Sequence, residues 1–141
     1  MQNEKCKIQN QEILMDTSKL RYTETHEWVS LSGKIATVGI TDHAQKEISD
    51  VVFVELPKAG RIARKKDSVM VIESVKAAFD IYAPVSGTIT EVNVKLKDKP
   101  ETVNVSPFGD GWLYKIECSD PAEWEALMSE DQYKNAASHS H

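Results

Sequence analysis

The chain has 141 residues, enough to bury one hydrophobic core, and its hydrophobic content of 40% is ordinary for a globular domain. The net charge of -5 and the scattered basic residues argue against a nucleic-acid partner. No apolar run reaches the roughly 18 residues that a membrane-spanning helix needs, so no membrane partner is expected.

The chain is expected to divide into a leader, one domain and a tail. Residues 1–17 are polar, lack the apolar centre of a signal peptide and are predicted to form a flexible extension. Residues 18–130 are predicted to form the domain, and residues 131–141 a flexible tail. Cys6 and Cys118 lie far apart without metal-ligand spacing, which favours a reducing compartment and predicts no metal site.

Alternating apolar and polar residues predict a series of short strands along the domain. The folded part opens with Arg21-Tyr22-Thr23, and the first short strand is expected at Trp28-Val29. Further strands are predicted at 34–40, 50–56, 68–73, 78–83, 88–96 and 112–117. Glycine, proline or serine residues stand between most of these segments and favour turns there.

Two helices are predicted in addition to the strands. The first, near 42–48, can be capped by Thr41 or Asp42, and its residues are good helix formers. The second is a C-terminal helix near 121–129, which a Ser-Asp pair precedes and a proline opens. Its apolar residues share one face, which is expected to pack on the strands.

The strand pattern indicates a fold class. Many short strands separated by turn residues predict a mainly β domain built as a small barrel or sandwich. Residues 32–40 resemble residues 86–94, because Ser, Gly, Ile and Val recur in register. This internal similarity fits a fold of two similar β-halves.

The segment between the strands at 68–73 and 78–83 contains the candidate site. The strand pattern breaks at Ser74-Val75-Lys76-Ala77, which predicts a hairpin with Lys76 at its tip and the amine in water. Glu73, three residues earlier, can offer a carboxylate near the amine or to a modifying enzyme. A lysine in a turn is most often only a solvated charge, so its position alone predicts no function.

The residues around Lys76 resemble a known family. Glu-Ser-Val-Lys-Ala at 73–77 is similar to the lipoylation site of glycine cleavage H-proteins. The same family pattern continues at 22–29, 38–44, 50–57, 82–87, 91–93, 103–104 and 107–112, in the family's order. The resemblance covers about residues 18 to 130. It departs from the family at Ser49 and Lys66, where many members have Gly, so another turn geometry is expected at those two positions.

The resemblance implies a fold and a set of site residues. The fold would be a barrel-sandwich hybrid of the biotinyl- and lipoyl-carrier type, and lipoate would be attached to Lys76 through an amide. The residues expected to guide the lipoate-attaching enzyme are Glu73, Ser74, Val75 and Ala77. The residues expected to contact the loaded arm in a surface cleft are Thr25, Glu27 and Asp80.

The resemblance also implies a non-catalytic carrier of the glycine cleavage system. The arm would take an aminomethyl group from a pyridoxal-phosphate glycine decarboxylase to a tetrahydrofolate-dependent aminomethyltransferase. A flavin-containing dihydrolipoyl dehydrogenase would reoxidise it, and a lipoate ligase or lipoyl transferase would attach it. The carrier is expected to be a monomer in a bacterial cytoplasm, and a mature mitochondrial form stays open.

Other readings of the sequence are open but less favoured. An H-like protein can act as a relay that passes lipoate to other acceptor proteins. A biotin carrier usually has methionines beside its lysine, whereas Lys76 has Val75 and Ala77. Lipoyl domains of 2-oxo acid dehydrogenases usually carry Asp-Lys-Ala and lack a C-terminal helix. An independent enzyme is disfavoured because no nucleophile and base stand in a recognisable arrangement.

Overall fold

The computed structural model describes residues 19–139, so the leader with Cys6 and the end of the tail lie outside the described residues. The elements in chain order are β1 Arg21–Tyr22, β2 Glu27–Ser32, β3 Ile35–Ile40, α1 Asp42–Ile48, β4 Val51–Glu55, β5 Ile62–Ala63, β6 Ser68–Ser74, β7 Ala78–Tyr82, β8 Gly87–Val92, α2 Lys95–Asp98, α3 Thr102–Val105, β9 Tyr114–Cys118, α4 Pro121–Glu125 and α5 Glu130–His139.

The strands form two antiparallel sheets. One has six strands in the order β1-β2-β3-β9-β8-β5, and the other has three in the order β4-β6-β7. Their inner faces supply one apolar core, which includes Val38, Ile89 and Ile116 from the larger sheet and Ile72 and Ile81 from the smaller one. This arrangement confirms the mainly β prediction, in the form of a sandwich rather than a closed barrel.

Helix α1 forms where the sequence predicts it. The Thr41 hydroxyl accepts a hydrogen bond from the Ala44 amide at 3.1 Å and so caps the helix. Ala44 and Ile48 lie one turn apart on the buried face. The helix thereby joins the end of β3 to the beginning of β4.

The C-terminal region differs from the predicted helix near 121–129. Helix α4 begins as expected, with the Asp120 carboxylate accepting from the Ala122 amide at 3.0 Å, but it ends at Glu125. Met128 instead pairs with Tyr22 in an isolated antiparallel bridge, with both backbone bonds below 3 Å. An uninterrupted helix cannot offer Met128 for that pairing. Helix α5 follows in the segment predicted as a flexible tail.

Two non-glycine residues have left-handed backbone angles at the positions where the family pattern has Gly. The φ angle is 75° at Ser49 and 77° at Lys66. Both residues therefore adopt a backbone that favours glycine, although each carries a side chain. Ser49, with ψ of -160°, lies in a region that is almost exclusive to glycine.

Replacing Ser49 with Gly is expected to stabilise the protein. The strain at Ser49 should exceed the entropy cost of glycine, so the free energy of unfolding should rise by about 1 kcal/mol. Urea denaturation of the two proteins measures the change. Ala59→Gly is the control, because Ala59 lies in an exposed turn without a positive φ and should lose about 0.5–1 kcal/mol. Equal losses in both variants would contradict strain at Ser49.

Candidate functional site

The β6–β7 hairpin places Lys76 at a closed, hydrogen-bonded tip. Glu73 pairs with Ala78 at the last rung, and the Ser74 amide donates to the Ala77 carbonyl at 2.9 Å. The Ser74 hydroxyl accepts from the amides of Lys76 at 3.0 Å and Ala77 at 3.3 Å. Both strands and the serine therefore fix the backbone of Lys76, while its side chain is exposed.

A second set of contacts ties the tip to helix α1. The Val75 amide donates to the Asp50 carbonyl at 3.0 Å, just before β4 begins. The Lys76 ammonium Nζ donates to the Glu47 carbonyl at 3.1 Å, in the last turn of α1. A cation is favoured there because the carbonyls at the C-terminal end of a helix carry partial negative charge. The amine stays open to solvent and is accessible to an acylating enzyme.

A cleft of about 630 Å³ lies at the other end of the small sheet. Its lining comes from β1 and the following turn, the beginning of β2, the turn between β5 and β6, the end of β7 with the two residues after it, and the C-terminal segment. The lining residues are Tyr22, Thr23, Glu24, Thr25, Glu27, Lys65, Lys66, Tyr82, Ala83, Pro84, Ala126, Leu127, Met128 and Ala136. The cleft thus combines apolar walls with a few polar groups, as small-molecule sites usually do.

Glu27 is the buried carboxylate of this cleft. It is 1% exposed, and its oxygens accept from the hydroxyls of Thr23 and Thr25, each at 2.5 Å, and from the Tyr82 amide at 3.3 Å. Burial raises the pKa of Glu27, and these hydrogen bonds oppose the rise without cancelling it. A cationic group that entered the cleft would stabilise the ionised carboxylate.

The outer face of β7 connects the tip to the cleft. Asp80 and Tyr82 lie on that face, and a strand rises about 3.3 Å per residue, which puts Tyr82 roughly 20 Å from Lys76. Asp80 is exposed and accepts from the Ser68 hydroxyl at 2.8 Å. The structure therefore brings Thr25 and Glu27 together in the cleft. It leaves Asp80 outside the lining, on the way from the tip.

Sequence reasoning missed one wall of the cleft. Ala126, Leu127, Met128 and Ala136 form that wall, although the sequence suggested only a helix packed on the strands and a tail. The apolar spacing there predicted packing, which Leu127 confirms by its burial. No local signal shows which residues would face a cleft rather than the core.

The described residues contain no candidate metal centre. Among the side chains of residues 19–136, no group of three or more His, Cys, Asp or Glu is placed to hold a metal ion. The His26 and His43 rings approach with their centroids 4.5 Å apart, but without a third ligand. No helix in this part of the chain is both long and apolar enough to cross a membrane.

A family model and individual relatives found by sequence comparison carry the same description. A family model described as "Glycine cleavage H-protein" matches residues 20–140. The chain is 56% identical to a glycine cleavage system H protein of Thermotoga maritima over 114 residues, which covers 81% of this chain and 92% of the relative. It is 54% identical to a probable glycine cleavage system H protein of Aeropyrum pernix, covering 81% and 80% respectively.

A comparison of structures agrees with the sequences. The fold is similar to the crystal structure of a glycine cleavage system H protein from Mycobacterium marinum, with a TM-score of 0.79 and 32% sequence identity. The match covers 86% of this chain and 98% of that one.

Proposed function

The chain belongs to the glycine cleavage H-protein family, and on that premise we propose that Lys76 is the residue through which it carries lipoate. The observation that supports this most is the exposed Nζ at the tip of a hydrogen-bonded hairpin. The sheet holds the base of the arm still, while the side chain is free to move. Acylation joins the lipoate carboxyl to Nζ as an amide and removes the positive charge.

The residues around Nζ fit a lipoyl amide. An amide nitrogen keeps one N–H, so the Glu47 carbonyl that accepts from the ammonium can also accept from the modified lysine. Val75 is 66% exposed beside it and offers apolar surface to the arm or to the enzyme that attaches it. When attached, the lipoyl disulfide supplies the sulfur that accepts an aminomethyl group derived from glycine.

We assign the cleft to the loaded end of the arm. An aminomethyl group carries a positive charge at neutral pH, and Glu27 offers it a carboxylate that bulk water does not screen. The Thr25 hydroxyl, which holds Glu27, lies at the same wall. Asp80 is proposed as a carboxylate that the arm passes on the outer face of β7. Leu127 and Met128 supply apolar contact for the carbon chain.

The carrier needs other proteins for every chemical step. The proposed partners are the pyridoxal-phosphate glycine decarboxylase, the tetrahydrofolate-dependent aminomethyltransferase, the flavin-containing dihydrolipoyl dehydrogenase, and a lipoate ligase or lipoyl transferase. Tethering raises the effective concentration of the cargo at each of them. The proposed setting is the cytoplasm, where a non-catalytic monomer would visit the partners in turn.

The test of this proposal is lipoylation followed by mapping. The full chain is incubated with lipoate, ATP and a lipoate ligase, and intact mass spectrometry and peptide mapping are expected to show one lipoyl group on Lys76. The lipoylated protein alone should not consume glycine, whereas addition of glycine decarboxylase should load it. A lipoyl group on another lysine would refute the site. Transfer of lipoate from Lys76 to a second acceptor protein, without loading by glycine, would instead favour the relay.

Glu73→Ala tests the recognition residue next to the tip. Glu73 is exposed and pairs with Ala78, so the variant should fold normally. If a ligase reads the carboxylate, the rate of lipoylation should fall about two- to fivefold, as expected for one surface charge. The rate is measured from the lipoylated fraction over time.

Glu55→Ala is the matched control for that rate. Glu55 is also exposed, but it lies on β4 opposite Val71, farther from the tip. Its loss should leave the rate of lipoylation unchanged. Equal rates for wild type, Glu55→Ala and Glu73→Ala would remove the recognition role from Glu73.

A further inference from the structure

The C-terminal segment 126–136 closes one side of the cleft and is fastened to the larger sheet. Tyr22 and Met128 exchange two backbone hydrogen bonds, at 2.8 and 2.9 Å. The Arg21 guanidinium donates to the Leu127 carbonyl at 3.2 Å and also lies over the Trp124 ring. These contacts attach the wall to β1 at its beginning. The other end of the wall lies in α5, and a separate contact is needed to hold it there.

Tyr133 is that contact. Its side chain is 7% exposed, and its ring stacks on Tyr22 with centroids 4.8 Å apart. Its hydroxyl lies 2.7 Å from Nδ1 of His26 and 2.8 Å from the hydroxyl of Thr41. One phenol group from α5 therefore bridges the beginning of β2 and the cap of α1.

The Tyr133 hydroxyl contacts one residue beside the cleft, His26, and one residue that caps the helix in contact with Lys76, Thr41. His26 stands between Thr25 and Glu27 and has a left-handed φ of 72°, which is unusual for a residue with a side chain. Fixing its ring helps to hold that backbone, and with it the carboxylate of the cleft. Thr41 caps α1, whose Glu47 carbonyl accepts from Nζ of Lys76.

We infer that Tyr133 is a positioning residue of the carrier, which holds the cleft wall and residues 25–27 in the arrangement that retains the loaded arm. The inference rests on the proposed function, because it takes the cleft as the place of the aminomethyl cargo. Tyr133 acts through His26 and Thr41 and has no chemical role in transfer. Helix α5 then belongs to the functional site and not to a tail.

Tyr133→Phe is the variant that tests this role. It keeps the buried ring and its stacking on Tyr22 but removes the hydroxyl that bridges His26 and Thr41. Lipoylated wild type and variant are loaded with glycine by glycine decarboxylase, separated from that enzyme, and followed by intact mass. The aminomethyl group is expected to be lost about three- to tenfold faster from the variant, the effect of losing about one hydrogen bond.

Two controls separate positioning from general loss of stability. Tyr114→Phe removes a buried hydroxyl that has no hydrogen-bond partner among the side chains described, those of residues 19–136, and does not line the cleft. Ile116→Val removes one methyl group from the core at a fully buried position of β9 and should lower stability. Both should lose the aminomethyl group at the wild-type rate. Faster loss in Ile116→Val, in step with its lower thermal midpoint, would overturn the inference.

A second measurement uses the unlipoylated protein and so does not depend on the arm. NMR of the His26 imidazole nitrogens should show a changed Nδ1 shift in Tyr133→Phe and an unchanged one in Tyr114→Phe. An unchanged Nδ1 shift in Tyr133→Phe, or cargo loss at the wild-type rate, would contradict the positioning role. Failure to find lipoate on Lys76 would instead contradict the proposed function. The NMR result would still show whether the Tyr133 hydroxyl contacts His26 Nδ1.

Discussion

A Lys76→Arg variant is expected to fold like the wild type and to carry no lipoyl group at all. Acylation needs a neutral amine, and a guanidinium stays protonated at every pH at which the protein is folded. Arginine keeps the positive charge and can still donate to the Glu47 carbonyl that accepts from Lys76. The residue is exposed at a hairpin tip, so the free energy of unfolding should change by less than about 0.5 kcal/mol.

Intact mass after incubation with lipoate ligase measures this result, and urea denaturation confirms that the variant is folded. Lys46→Arg is the matched control, because Lys46 is an exposed lysine of the same helix α1 whose end contacts Lys76. That control should be lipoylated as completely as the wild type. A lipoyl adduct on Lys76→Arg would show that another lysine carries the arm.

Local sequence patterns predicted the elements that carry the lysine. The apolar alternation of β6 and β7 and the break at Ser74 are properties of neighbouring residues, and they place Lys76 at a tip without reference to the rest of the chain. The cap of α1 by Thr41 is equally local. Such features are predictable because turn and cap energies depend on a few adjacent residues.

The parts that sequence reasoning missed depend on contacts between distant residues. Strand β5 has only two residues, which form a strand because they pair with β8. Met128 is not helical because its backbone amide and carbonyl pair with Tyr22, which is distant in sequence. Residues 32–40 and 86–94 look alike, yet Ile35 is half-buried while the corresponding Ile89 lies in the core. Sequence similarity between strands did not predict which face would be buried.

Glu27→Gln is expected to release the aminomethyl cargo about ten- to a hundredfold faster than wild type. The variant removes the buried carboxylate charge that can pair with the cationic group, and charge-assisted hydrogen bonds are the stronger ones. Glutamine has nearly the same shape, and its carbonyl can accept from the Tyr82 amide while its NH₂ donates to threonine hydroxyls. The loss should therefore arise from charge and not from a collapsed cleft.

Loss of the cargo is followed by intact mass, as for Tyr133→Phe. Glu24→Gln serves as the control, since Glu24 also lines the cleft but is exposed, and its loss should change the rate less than about twofold. Similar rates for Glu24→Gln and Glu27→Gln would mean that overall charge, and not the buried carboxylate, retains the cargo.

The pH dependence of the unlipoylated protein tests the electrostatic cause separately. Burial raises the pKa of Glu27 above its usual value of 4.5, so the folded protein binds this proton more readily than the unfolded chain. The contribution of Glu27 to the free energy of unfolding should therefore increase as the pH falls through the folded-state pKa towards 4.5. Glutamine cannot titrate, so the stability of wild type relative to Glu27→Gln should rise over that same interval. A difference that stays constant with pH would mean that the hydrogen bonds to Glu27 cancel the effect of burial on its pKa, and would contradict a raised pKa.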